Sequence, residues 1–427
     1  MTLDLSQCHQ QPSDILILSN APGELATWVR PVVKALRQEL GEDRAKTRIS
    51  VVLSPCPHST GEEAAIALDY PQVDRVQAAE HFWDFLLWGK TQDDWDWYEQ
   101  GIVIFLGGDQ FYPVVVSKRL GYRTLIYAEW EARWYRYIDA FAVMNQQVKA
   151  KVPLKYQEKC LVVGDLIADI ILEVTDSPTK QATSTIGLLP GSKPAKLMQG
   201  VPLCLAIAEN LNTKQPELEF LLPVAPTINL QTICHYAQTS HNPLISELGN
   251  VTAELIHESS GSYLLTSGGS KVNLIENFPA YQELLNCELC VTTVGANTAE
   301  LGSLGIPMVV LLPTQQLDAM RSWDGIPGLL ANLPLLGSGF AKLINILVLR
   351  QKRLFAWPNI WAKKAIVPEL VGKLAAPAIA KIILNYLENP QKLQKMHQDL
   401  LQVRGEPGAA AKIATLTAYL LNQSKKL

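Results

Sequence analysis

A chain of 427 residues, 48% hydrophobic and 18% charged, has globular composition and is too long for one typical core, so two or three domains are expected. A net charge of −4 with scattered basic residues leaves no broad cationic footprint and argues against a nucleic-acid partner. Seven widely spaced cysteines, an odd number, do not resemble the dense framework of a small secreted domain and read as reduced, buried thiols.

The opening "MTLDLSQCHQQPSD" has no basic stretch followed by an apolar core, and no run in the chain reaches the ~18 apolar residues of a spanning helix. A cytoplasmic protein is expected, at most one touching the inner face of a membrane. "DILILSN" (14–20) is a short apolar strand that ends in a Pro22-Gly23 turn. Leu25, Trp28, Val32, Leu36 and Leu40 follow at helical spacing, with Pro31 either kinking that helix or marking its first turn. Further apolar runs at 48–55, 101–109, 123–129, 140–145 and 160–165, each separated by room for a crossover helix, predict a parallel sheet buried on both faces. Within this half, "EHFWDFLLWGK" (80–90) gathers aromatic and aliphatic residues that suit a core helix, an acyl-chain groove or a bilayer interface. Asp94-Trp-Asp96 is formally a D-x-D, but it precedes a strand in a polar run and reads as a surface loop.

The polar stretch 173–185 is the predicted linker. Runs at 185–191, 219–226, 262–268, 288–295 and 307–314 then alternate with helical segments, giving a second sheet of the same kind. Cys287-Glu-Leu-Cys290 lacks a second pair or a nearby histidine, and the histidines form no H-E-x-x-H, so no metal site is expected. Residues 342–364 combine an apolar stretch with Arg350, Lys352, Arg353, Lys363 and Lys364, the composition of a patch for anionic membrane. The tail from 368 to 427 reads as helices broken near Pro390 and 404–409. The predicted fold is α/β: two tandem doubly wound domains, 1–175 and 185–367, facing across a cleft, with helices 368–427 packing across the junction.

Open parallel sheets bind ligands outside the carboxyl ends of their strands. The loops to watch are therefore 20–24, 107–110, 127–131, 190–193, 267–271 and 293–300. In "VTTVGANTAELGSLGIPMVVLLPT" (291–314) a strand delivers Gly295, Ala296, Asn297 and Thr298 to a helix start that would attract a diphosphate. Glu300, read in the first turn, would accept from a ribose diol. The alternative is that Asn297 or Thr298 caps the helix and Glu300 completes a capping box. In "LLPGSKPAKL" the missing first glycine rules out a Walker A loop. Pro194 suits a first helical position, and Lys193 then reads as a phosphate contact. Asp109 ends its strand where a carboxylate would serve as a base or would cap the next helix.

"LLPGSKPAKL", "VTTVGANTAELGSLGIPMVV" and "WPNI...AIVPEL" (357–370), in this order, resemble the lipid-A-disaccharide synthase family of glycosyltransferases; "GGDQF" and "GDLIADI" match more weakly. The resemblance implies the GT-B fold and inverting transfer from a UDP-sugar substrate, with no metal and no resident cofactor. It also implies an amphiphilic or lipid-linked acceptor at a membrane face. Domain 1–175 would be the acceptor side and 185–367 the nucleotide-sugar side. Gly191, Ser192 and Lys193 would hold donor phosphate, with Gly295, Ala296, Asn297 and Thr298 beside it. Glu300 would take the ribose, Asp109 would be the catalytic base, and Asn20, Gly23 and Glu24 would form the acceptor-side loop. The sequence departs from the family at Lys193, where the family has Arg, at Gln110-Phe111-Tyr112-Pro113, which lacks a second acidic residue, and in the shorter loop 20–24. An acceptor other than a lipid A precursor is therefore in view. A nucleotide-sugar epimerase of the same fold and a sugar- or lipid-binding scaffold without turnover stand as rivals.

Overall fold

The computed structural model describes residues 11–56, 59, 61–174, 184–314 and 354–423. The chain forms two compact units, one of Met1–Glu173 with Gly405–Leu427 and one of Val174–Arg404.

The first unit is built on seven parallel strands: β1 (Ser13–Ser19), β2 (Thr47–Leu53), β3 (Arg75–Gln77), β4 (Gln100–Phe105), β5 (Arg123–Ala128), β6 (Ala140–Val143) and β7 (Cys160–Val162). Their order is β3-β2-β1-β4-β5-β6-β7. Ile15, Leu16, Ile17 and Leu18 have no exposed surface, because helices cover both faces of such a sheet. After β1 the chain makes a helical turn at Pro22–Glu24, a π-helical stretch at Leu25–Val29 and then α1 (Arg30–Leu40). Pro31, which has no N–H to donate, stands where the π-helical stretch passes directly into α1. Val29 before it is helical as well, so the helix runs on through the proline with the π-helical turn in front of it. α2 (Phe82–Trp88) buries Phe82, Phe85 and Leu86 and leaves Trp83, Leu87 and Trp88 exposed.

Asp96 belongs to an ion-pair network at the amino-terminal end of this sheet. It accepts from Arg48 at 3.0 Å and lies 3.5 Å from Arg75. Arg48 also donates to the fully buried Asp14, which takes further bonds from the Tyr122 hydroxyl and the Tyr98 amide.

The second unit carries eight strands: β8 (Thr185–Leu189), β9 (Glu219–Pro223), β10 (Ala253–Glu258), β11 (Gly261–Thr266), β12 (Lys271–Ile275), β13 (Cys287–Thr293), β14 (Met308–Pro313) and β15 (Glu369–Gly372), in the order β10-β11-β12-β9-β8-β13-β14-β15. Here the sequence expectation is corrected: the run at 262–268 is no parallel strand, since β11 pairs antiparallel with both β10 and β12. Only the tight turn Ser267–Ser270 joins β11 to β12, and a parallel crossover needs a dozen or more residues. The turn therefore sits at the amino-terminal end of the parallel strands, so the loop 267–271 does not join the other candidate loops.

α3 (Pro194–Asn212) contains Pro202, which cannot donate to the carbonyl of Met198. That carbonyl accepts from Asn242 Nδ2 instead, at 2.9 Å. α4 (Ala296–Leu304) and α5 (Trp357–Ala362) follow β13 and precede β15. α6 (Ala376–Leu387) places Ile379 and Ile383 in the core of this unit, and α7 (Pro390–Val403) packs beside it. α8 (Ala409–Asn422) instead packs on α1 in the first unit. The C-terminal helices are thus shared between the two units.

Most of the predicted linker (175–183) and the basic residues Arg350, Lys352 and Arg353 lie outside the described residues. No helix among the described residues is long and apolar enough to cross a membrane.

Candidate functional site

In the second unit the strand order reverses between β8 and β13, the place where a doubly wound sheet opens a crevice at its carboxyl edge. Two loops meet there. The β8 loop runs Pro190-Gly191-Ser192-Lys193 into α3, with Gly191 at φ +100°, a left-handed conformation that favours glycine. The β13 loop runs Val294-Gly295 into α4, and Thr293 Oγ1 donates to the Pro190 carbonyl, tying the two loops together.

The cap of α4 is Gly295, and no side chain caps its first turn. The capping alternative for Asn297 is thereby removed. Thr298 is fully buried; its amide and hydroxyl both donate to the Gly295 carbonyl, and the hydroxyl accepts from Trp357 N. Its side chain holds the loop rather than facing a ligand. Glu300 is the fifth residue of α4 and half-buried. The first-turn position expected from the sequence is therefore corrected: N3 is Thr298, so Glu300 forms no capping box. The exposed Ala296 and the half-buried Asn297 begin the helix at the mouth of the loop.

The resembling motifs explain one another here. Pro358 lies against Gly302, where a Cβ would come within 2.6 Å of its ring. The Glu369 carboxylate accepts from the amides of Phe355 and Ala356 and from Asn359 Nδ2. "WPNI" and "VPEL" are thus the clamp that fixes α4 against β15.

Sequence reasoning missed Lys196. It projects from the first turn of α3, and its Nζ donates to the Val294 carbonyl at 2.6 Å. Burial between the loops, then the charge of Lys193, pulls its pKa down to about 8. The signal was present as the second lysine of "GSKPAK".

In the first unit the strand order reverses between β1 and β4. Asn20, Glu24 and Ser19 converge on Gly107, where a Cβ would stand 2.8 Å from Asn20 Oδ1 and 3.4 Å from Glu24 Cγ. Gly23 supports this loop through its carbonyl, which accepts from Thr27. Asp109 lies past Gly108 (φ +102°) and is exposed. Its Oδ1 accepts from Phe111 N at 2.8 Å, a local turn ahead of the helix Tyr112–Leu120. The N-cap of that helix is Phe111 with no side-chain cap, so Asp109 is not its cap. Arg133 feels the Asp109 charge.

Two further carboxyl groups lie just past the ends of β5 and β7. Glu129, after β5, is pushed up to about 8 by burial, by Asp165 and by Glu24, against a hydrogen bond from Trp130. Asp165, after β7, is 1% exposed with Oδ2 unpaired among the described residues, and burial raises it to about 6. Among the described residues no cluster of three or more His, Cys, Asp or Glu forms a metal-binding group.

No protein-family model matches the chain. In sequence it is similar to the lipid-A-disaccharide synthase of Nitrosococcus oceani, 26% identical over 240 residues that cover 56% of this chain and 48% of that protein. The similarity to the enzyme of Thiobacillus denitrificans is 25% over 295 residues, 65% and 61% of the two chains. For Geobacter metallireducens it is 22% over 335 residues, 73% and 72%. The chain thus spans about half the length of the first of these relatives.

In structure it is similar to a putative UDP-N-acetylglucosamine 2-epimerase from Listeria monocytogenes (TM-score 0.51, 13% identity, 98% of this chain and 99% of that one). The UDP-GlcNAc 2-epimerase of Neisseria meningitidis, solved with UDP-GlcNAc, gives a TM-score of 0.50 at 14% identity, covering 95% and 99%. At such identities the likeness is one of fold, the GT-B arrangement of two doubly wound α/β units.

Proposed function

We propose that this relative of the lipid-A-disaccharide synthases is a glycosyltransferase that moves a sugar from a UDP-sugar, with inversion and without a metal, to a lipid-linked or amphiphilic acceptor. The observation that carries the reading is the β8/β13 crevice: two strand-end loops, an uncapped helix start and two lysines, a setting suited to a diphosphate. Gly191, Ser192 and Lys193 would line the phosphates, Gly295, Ala296 and Asn297 would offer backbone, and Glu300 would accept from the ribose.

In the reaction the acceptor oxygen forms a bond to the anomeric carbon as the carbon–oxygen bond to UDP breaks, and Asp109 takes the hydroxyl proton. The electron pair leaves on the diphosphate, where the lysines and the helix start stabilise it. The exposed Trp83, Leu87 and Trp88 of α2 support an amphiphilic acceptor and a peripheral membrane contact. The similarity to the synthases supports the class of reaction.

One observation favours the epimerase reading, since Glu129 is a half-buried carboxyl group near the β1/β4 reversal whose pKa is raised to about 8. Product analysis separates the two. The full chain is incubated with UDP-sugars with and without lipid acceptors, in EDTA. Transfer is expected only with acceptor, and Asp109→Asn should lower it by about 10²–10⁴. An epimerised UDP-sugar formed without acceptor would overturn the transferase in favour of the epimerase.

A further inference from the structure

The loop glycines at the β8/β13 reversal enclose one of the two lysines of the crevice, Lys196. The Lys196 side chain passes between them. A Cβ on Gly191 would fall 2.9 Å from its Cδ, and one on Gly295 would fall 2.8 Å from its Nζ. Side chains at either position would collide with it, so both loops are bare where it lies.

Its electrostatic setting is unfavourable on every count. The ammonium sits at the amino-terminal ends of α3 and α4, where the helix dipole repels a cation. The charged neighbour it feels is another cation, Lys193, and among the described residues it forms no ion pair. One of its three donors goes to the Val294 carbonyl, which leaves two for a ligand. A cation kept in such a place is compensated when an anion arrives.

Resting on the donor site proposed above, we propose that Lys196, from its place between Gly191 and Gly295, is the cation that holds the diphosphate of the nucleotide. Its burial depresses proton binding in the empty crevice, and the arriving anion reverses that. Binding near pH 8 is then coupled to uptake of a proton.

The test is calorimetry of UDP and of uridine on the full chain at pH 8, repeated in Tris and HEPES to count protons, for the wild type, Lys196→Met and Gly295→Ala. Met keeps the length of the side chain and removes the charge. The wild type is expected to take up about half a proton per UDP, because a group of pKa about 8 is half charged there. Lys196→Met is expected to lose UDP affinity by about 10- to 100-fold, to take up no proton and to bind uridine as before. Gly295→Ala, which pushes the ammonium aside while keeping the charge, should weaken UDP and spare uridine. A Lys196→Met protein that binds UDP like the wild type with the same proton count overturns the role of Lys196 and leaves the donor site standing. Equal losses for uridine and UDP would make Lys196 a support for the Val294 loop and overturn the proposal. A wild type that binds no UDP at millimolar concentration overturns the donor site itself.

Discussion

Glu129 shows how a single residue ties the site of the first unit to pH. Its carboxyl group is raised to about 8 by burial first, then by Asp165 and Glu24, whereas in the unfolded chain it titrates near 4.3. Between about pH 4 and 8 the native state therefore keeps a proton that the unfolded state releases, and stability falls as pH rises through that window. Glu129→Gln, which cannot ionise, should abolish most of this loss. Scanning calorimetry from pH 5 to 8.5 is expected to show a variant about 2–4 °C above the wild type at pH 8 for each kcal/mol recovered, with the curves merging near pH 5. A shallower slope should persist up to about pH 6 from Asp165. Parallel curves would mean that Glu129 is hydrated and ordinary. The loop holding Glu129 was legible as a strand end, but its raised pKa was not, because that comes from tertiary burial and from the charges of Asp165 and Glu24, distant in sequence. Lys193 and Lys196 teach the same lesson: the sequence marks a basic loop, and only packing shows that Lys196 runs between the two glycines.

At the scale of elements, continuous apolar runs identified β1, β2, β4 to β9, β13 and β14 directly, since strands buried on both faces carry little else. Missed were β3, with three residues, and β10, β12 and β15, whose residues alternate between buried and exposed or are mostly half-exposed. "SYLLTSG" looked like its parallel neighbours; the evidence against that was the length of the turn after it. α3 illustrates the other side of local reading, since Pro202 inside a helix is a conflict that tertiary structure settles. Asn242 is fully buried, donates to the carbonyls of Met198 and Tyr236 and accepts from Leu244 N. Asn242→Leu strands these groups at about 1–3 kcal/mol each. Pro202→Ala restores an N–H for Met198, so the double variant should be more stable than the sum of the two changes by about 1 kcal/mol, as read in urea unfolding. Strict additivity would show that Asn242 does not answer the proline.

For the whole molecule, the chain leaves the first unit at Glu173 and returns to it at Gly405, so that unit is discontinuous in sequence. The returning piece is held specifically. Asp169 accepts from the amides of Gly408, Ala409 and Ala410, taking three donors at the start of α8. Ile413, Leu420 and Leu421 then enter the same core as Ile15, Ile17 and Leu36. Burying three such side chains is worth about 5–9 kcal/mol, comparable with the 5–15 kcal/mol that holds an entire domain. The second unit has its own core, to which α6 contributes and α8 does not. A chain ending at Arg404 should therefore lose the calorimetric transition of the first unit and keep that of the second. If the donor site resides in the β8/β13 crevice, the surviving transition should still rise with UDP, by the ~2.7 kcal/mol expected at 100 times the dissociation constant. A truncated chain that loses both transitions would show that the two units fold as one, and their separate cores would then not mean separate stability.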